Sequence, residues 1–283
     1  MGRRAGSPAA QGRSAAAVLP PVHSARWRLA GAAIARVGAP WLLPLLLLTA
    51  WQVAAQAGWL SSRVLPAPWA VLKAFWTLAA SGELWAHLRT SLWRAACGFG
   101  LGAGLGLALG LLTGSFRRAE TLLDTTLQMI RNIPALALIP LVILWFGIDE
   151  WAKLFLLAVG VFFPVYLNTF HGIRSADQGL IEMARSYGLS GWPLYRDVIL
   201  PAALPSILVG VRFSLGLVWV LLIVAETISA QAGIGYMTMN AREFLQTDVV
   251  LVGILLYALL GKLADLFSRA LERHFLRWNP AYR

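Results

Sequence analysis

The chain has 283 residues, is 58% hydrophobic and 13% charged, and carries a formal net charge of +11; its mean hydropathy is +0.67. A soluble domain of this length needs far more charged surface, so the composition excludes an ordinary water-soluble protein and makes lipid the solvent for most of the chain. The single cysteine, Cys97, excludes an internal disulfide and a Cys-rich metal site and reads as a packing residue, while cations spread between apolar runs rather than massed on one segment argue against nucleic acid as a partner.

Residues 1–38 read as a basic, flexible tail rich in Ala, Gly, Pro and Arg, with no acid. Arg3-Arg4 is followed by no apolar stretch until Trp41, so a twin-arginine export signal is discounted, and the first apolar run is expected to remain as a span. Residues 39–283 form the membrane domain. A span needs about 20 mostly apolar residues, and six segments qualify or nearly qualify: 41–58, 92–113, 133–147 (short unless it begins near Leu127), 152–170, 206–228 and 249–267. Backbone groups in lipid must be paired within the segment, so all six are expected to be helices and the fold class all-α, a polytopic membrane protein. Six spans place both termini on one side. With that side inside, the inner segments hold sixteen Lys and Arg and the outer ones five, which orients both termini toward the cytoplasm. Residues 61–91 then lie outside; with Pro66, Pro68, Trp69, Phe75, Trp76 and Trp85 they suggest a helix lying on the outer surface.

Within the second span Gly98, Gly102, Gly106, Gly110 and Gly114 recur every four residues, with Gly100 and Gly104 as a second stripe. Without side chains on one face, another helix can approach closely, so Gly98, Gly102, Gly106 and Gly110 mark a helix-packing seam. A phosphate-binding reading fails: no strand precedes the run and no Lys-Ser/Thr pair follows it. Gly261-Lys262-Leu263 does not complete a P-loop either, so the chain is expected to bind no cofactor of its own.

The inner segment 171–205 is the most informative. Ile173, Leu180, Ile181, Met183, Ala184 and Tyr187 give it an amphipathic helical period, Gly188 breaks that helix, Pro193 restarts it, and Pro201 and Pro205 are expected to end the segment before the fifth span. A structureless connector of this length would be unusual, which favours a helix–turn–helix that presents one face to a partner. Among polar residues in or near spans, Asn132, Asn168, Arg212 and Ser214 are candidates for a translocation path, each against the plainer reading of a bond to a neighbouring helix or, for Arg212, of snorkelling to the inner surface. Glu226 would repel an anion and is read as a helix-end or inter-helix hydrogen-bonding residue, and Arg131 as a cytoplasmic anchor. The four histidines, His23, His87, His171 and His274, are scattered with no metal spacing, so no catalytic residue and no metal ligand is assigned.

Glu182-Met183-Ala184, then Gly188, then Leu200-Pro201 resembles the EAA motif of bacterial ABC importer permeases, with Met183 at the first Ala position and Val198 at an Ile position. Longer strings, at 127–147, 182–190, 224–230, 233–236, 239–248 and 277–282, extend the resemblance over residues 40–283 to the sulfonate, taurine and nitrate branch, and within it to the aliphatic sulfonate permeases. The resemblance implies a MetI-like fold and an inner-membrane location. It also implies that Glu182, Ala184, Gly188, Leu200 and Pro201 form a coupling helix docking into a separate ATPase. Implied partners are two ATPase chains carrying ATP and Mg, a periplasmic substrate-binding protein and a second permease copy. The implied cargo is an aliphatic sulfonate, with taurine or nitrate as alternatives. A secondary transporter or channel, needing no ATPase and no long inner loop, and a membrane enzyme are the rival classes.

Overall fold

The computed structural model describes residues 40–279, and the basic tail lies outside them, as do residues 280–282 of the terminal string. Among the described residues every regular element is helical. Two units are distinguished, one ending at Ala54 and one beginning at Ala55. The first contributes most of a helix, α1, over residues 40–56. The second contains α2 (Pro68–Ser81), α3 (Glu83–Ser115), α4 (Arg117–Arg131), a 3-10 turn (Ala135–Leu138), α5 (Ile139–Phe146), α6 (Glu150–Arg174), α7 (Gln178–Ser186), α8 (Gly191–Leu194), a π-turn (Tyr195–Ile199), α9 (Leu200–Ser229), α10 (Ile234–Glu243) and α11 (Thr247–Phe275).

Local chemistry sets the ends. Pro68 sits in the first turn of α2, where its missing N–H costs nothing. Asp149 caps α6 by accepting the Glu150 N–H at 2.7 Å, and Arg174 occupies its last turn, where a cation complements the helix dipole. Asp177 caps α7 by accepting the Gly179 N–H at 2.8 Å.

Among the described residues four helices are long and apolar enough to cross a membrane: α3, α6, the continuous run Gly191–Ile228, and α11. A fifth crossing arises if α4 and the segment Ala135–Phe146, bent 81° from each other, count as one broken span. The six expected segments are therefore compatible with the fold, but the third differs in form. Residues 133–147 are not one straight helix; α5 has only eight residues, about 12 Å of rise. The cause is local: Pro134 disfavours helical geometry at Ile133 and starts the 3-10 turn, and Pro140 then stands in the first turn of α5. Arg131, expected to begin that span, instead closes α4. The second span begins earlier than expected, at Glu83, because no proline lies between Gly82 and Ser115.

The core lies where α3, α6, α9, α10 and α11 meet, with Leu157, Val161, Val165, Val218, Leu222, Ile234 and Val252 almost wholly excluded from solvent. Helix α3 packs along α6, α6 along α9, and α9 and α10 against α11. Helix α2 lies on α11 and α3, burying Val71 and Ala74 while Trp69 and Trp76 stay exposed. The seam between α3 and α6 is glycine-lined. A Cβ at Gly98 would meet Leu157, at Gly102 the Ala158 backbone, at Gly106 the Phe162 carbonyl, and at Gly110 Thr169 and the Tyr166 carbonyl. Gly100 and Gly104 face away, with nothing near them.

Candidate functional site: an elbow and two charged clusters

Residues 175–199, between α6 and α9, form an elbow. Helix α7 ends at Gly188, whose φ of +86° is a conformation that favours glycine. The next N–H, of Leu189, donates back to the Ala184 carbonyl at 3.0 Å, closing the helix end. Beneath the elbow Ala176, Ile181, Ala184 and Leu194 are buried together, packed by Val198, Ile199 and Ala202. The opposite face is open: Leu180, Met183, Tyr187 and Trp192 are exposed, as is Glu182. Of the residues in the EAA-like pattern, Ala184 faces inward, Glu182 outward, Gly188 makes the turn, and Leu200 and Pro201 begin α9. The prolines do not end this segment, as the sequence suggested. Pro201 stands in the first turn of α9 and Pro205 is inside it. The widened π-turn at Tyr195–Ile199 precedes Pro201 and gives room where a proline ring would otherwise crowd the preceding turn. Elbow and span therefore form one helical run from Gly191 to Ile228.

At the far end of that run lies a buried charged cluster. The Arg94 guanidinium of α3, 2% exposed, forks to Glu150 on α6 at 2.6 and 2.7 Å and donates to Glu226 on α9 at 2.8 Å. It also donates to the Ala232 carbonyl. The Glu226 carboxylate, 1% exposed, accepts in addition from Ser91 Oγ at 2.8 Å, from the Gly235 N–H at 2.9 Å and from Tyr257 of α11 at 3.0 Å. Ser91 Oγ in turn accepts the Ile234 N–H at 2.9 Å, and His87 Nδ1 accepts the Gly233 N–H at 3.1 Å. Lys153, also buried, donates to Glu150 at 3.2 Å. Gly233 has a φ of +117°, and a Cβ there would fall on the Glu226 carboxylate. The cluster ties α3, α6, α9, α10 and α11; its buried charges on Arg94 and Glu226 are each partnered, as a charge away from water needs, while the Glu150 side chain stays 51% exposed.

A second cluster joins α9 to α11 nearer the elbow. Arg212 donates to Asp265 at 2.8 Å and to Glu272 at 3.4 Å. Asp265 also faces Arg269 at 3.0 Å and Lys262 at 3.8 Å. The other path candidates sit in bonds within or between helices. Asn168 donates to the Pro164 carbonyl at 2.8 Å, and its own carbonyl accepts from Ser206 of α9 at 2.7 Å. Ser214 donates to the Val161 carbonyl at 3.2 Å. Asn132, exposed, donates to the Gln128 carbonyl at 3.0 Å, capping α4 at the break. Sequence reasoning singled out Glu226 but not its side-chain partners Arg94, Ser91 and Tyr257, nor Glu150 on the other side of Arg94. The available signal was an arginine and a glutamate in two different apolar runs, each too costly to leave unpaired.

The comparisons with known proteins agree with this architecture. Residues 102–277 match the family described as "Binding-protein-dependent transport system inner membrane component". An Escherichia coli (strain K12) protein named for aliphatic sulfonates transport, SsuC, is 68% identical over 244 residues, covering 86% of this chain and 93% of its own length. The Bacillus subtilis (strain 168) protein of the same name is 51% identical over 241 residues, 85% of this chain and 87% of its own. The taurine transport system permease TauC of Escherichia coli (strain K12) is 37% identical over 238 residues, 82% and 86%. A chain from the crystal structure of an amino acid ABC transporter with histidines superposes with a TM-score of 0.53 at 20% identity, covering 69% of this chain and 97% of that one, and so shares its fold. The chain belongs to the family of binding-protein-dependent transport system inner membrane components, as a multi-pass permease subunit.

Proposed function

We propose that this chain is the membrane-spanning subunit of an ATP-driven importer of aliphatic sulfonates in the bacterial inner membrane, with both termini cytoplasmic. The working assembly has two copies of this chain, two separate ATPase chains that hold ATP and Mg, and a periplasmic protein that delivers the cargo. The observation that carries the coupling half of this reading is the elbow: an apolar, exposed face containing Leu180, Met183 and Tyr187 around Glu182, built on a packed base and continuous with α9. An exposed apolar patch rimmed by polar residues is a protein-binding surface. The substrate half is supported by the 68% identity to a protein named for aliphatic sulfonates transport.

In this assembly, closure of the ATPase pair on ATP displaces the two elbows. Because α8, the π-turn and α9 form one run, the displacement passes into the span rather than being absorbed in a loop. The Arg94–Glu226 cluster then lies at the periplasmic end, where it holds α9, α10 and α11 together while the bundle changes between inward- and outward-open states. Cargo drives the cycle only through its different affinity for those states.

The test is reconstitution of this chain with its cognate ATPase and binding protein in liposomes, with ATP hydrolysis measured in the presence of ethanesulfonate, taurine or nitrate. Strongest stimulation by ethanesulfonate is expected. Stimulation mainly by taurine or nitrate would replace the substrate and keep the importer; failure of the ATPase to associate would refute the coupling reading and favour ion-coupled transport.

A further inference from the structure

Between α9 and α11 runs an open groove of about 540 Å³, lined by Val209, Arg212, Phe213, Val220, Gly261 and Asp265 among others. The Arg212 side chain is 40% exposed despite its two acidic partners. Among the described residues Arg212, Lys262 and Arg269 share Asp265 and Glu272, so the cluster as described carries one excess positive charge. Polar residues within a span face a bundle interior or a water-filled path rather than lipid. A cation in excess beside a groove whose walls, apart from Arg212 and its partner Asp265, are apolar selects an occupant with one negative charge and an aliphatic portion. Gly216, which also lines the groove, and Gly261 deepen it, since a Cβ at either would meet nothing within 4 Å. The volume is that of a small-molecule site.

We propose that this groove is a transport subsite for a small organic monoanion, Arg212 holding the sulfonate head and the apolar walls of Val209, Phe213 and Val220 the alkyl chain. This rests on the importer reading above and adds to it a site in the permease itself, where the cargo is read a second time after the binding protein. In this site Asp265 and Glu272 hold Arg212 in place when no cargo is present, and the anion competes with them for the guanidinium.

The experiment is uptake of methane-, ethane- and butanesulfonate by the full complex, in vesicles of phosphatidylcholine alone and with added phosphatidylglycerol, with each variant first shown to co-purify with the ATPase. Arg212→Gln should lower uptake of all three by roughly tenfold, the size of a lost charge-assisted bond, and Arg212→Lys should recover part of it. Gly216→Leu and Gly261→Leu place a side chain in open space, so they should fold, keep the charge, and shift preference toward methanesulfonate by about fourfold per excluded methylene. An unchanged chain-length preference in both glycine variants, or wild-type uptake in Arg212→Gln, overturns the subsite while leaving the importer standing. A wild-type complex that takes up none of the three overturns the substrate reading itself. Loss in Arg212→Gln seen only with phosphatidylglycerol present identifies a lipid phosphate as the partner and also overturns the subsite.

Discussion

The seam between α3 and α6 gives the sharpest stability prediction. At Gly106 an added Cβ would lie 2.6 Å from the Phe162 carbonyl oxygen and 3.1 Å from the Tyr166 nitrogen. Both are backbone atoms, so no rotamer change relieves the contact; ordinary contact begins near 3.4 Å, and the helices must part by about 0.8 Å. Overpacking of this kind costs about 1–3 kcal/mol, set against a helix-propensity gain of about 0.5–1 kcal/mol for replacing glycine by alanine. Gly106→Ala is therefore expected to destabilise by about 1–2 kcal/mol. Gly104→Ala, two residues away on the open face, should be neutral or stabilising by up to about 1 kcal/mol. The gap of about 2 kcal/mol corresponds to roughly 4–8 °C in melting temperature for a chain of this size. Thermal denaturation of the purified complex, followed by tryptophan fluorescence and by the monodisperse fraction on size exclusion, measures it. Equal melting temperatures for the two variants would refute the claim that the four-residue spacing is a contact seam rather than a compositional accident.

Three further outcomes follow from the site. Glu226→Gln removes the carboxylate that faces Arg94 and receives Ser91, Tyr257 and the Gly235 N–H; breaking one side of such a buried pair should cost about 3–5 kcal/mol, read as loss of folded protein in membranes. Tyr257→Phe deletes one of those donors and should cost less, about 1.5–3 kcal/mol, in the same assay. Gly188→Pro should insert and fold but uncouple transport from hydrolysis, because the turn at φ +86° is closed to proline; wild-type substrate uptake in that variant would sink the coupling role.

The sequence made some features readable and hid others for physical reasons. Spans are legible because a 20-residue apolar run has almost no other meaning, and the glycine seam because its period places all members on one helix face. The third span was misjudged in shape: apolar content was read correctly, but Pro134 and Pro140 set a bend whose angle depends on neighbours. From sequence alone Pro201 and Pro205 read as terminators. Proline is equally at home in a first turn, and only the preceding π-turn shows that the helix runs through. An arginine in an apolar run signals that a partner must exist, but not which one: those of Arg94 lie 56 and 132 positions away in the chain.

The same placement explains how two distant regions can act together. Elbow and buried cluster sit at opposite ends of a single 38-residue helical run, Gly191–Ile228, about 57 Å long at 1.5 Å per residue. A helix seated loosely would bend or slide between them. Here α9 is seated on α6 by close approach: a Cβ at Gly210 would meet Asn168 Cβ at 2.7 Å and the Pro164 carbonyl at 2.9 Å, and one at Gly172 would meet the Ala203 carbonyl at 2.9 Å. Close-packed helices resist gradual deformation and move between discrete arrangements. The Arg212 cluster fixes α9 to α11 on the elbow side and Glu226–Tyr257 fixes the same pair at the far end. A push on the elbow is thus expected to carry α9 and α11 together.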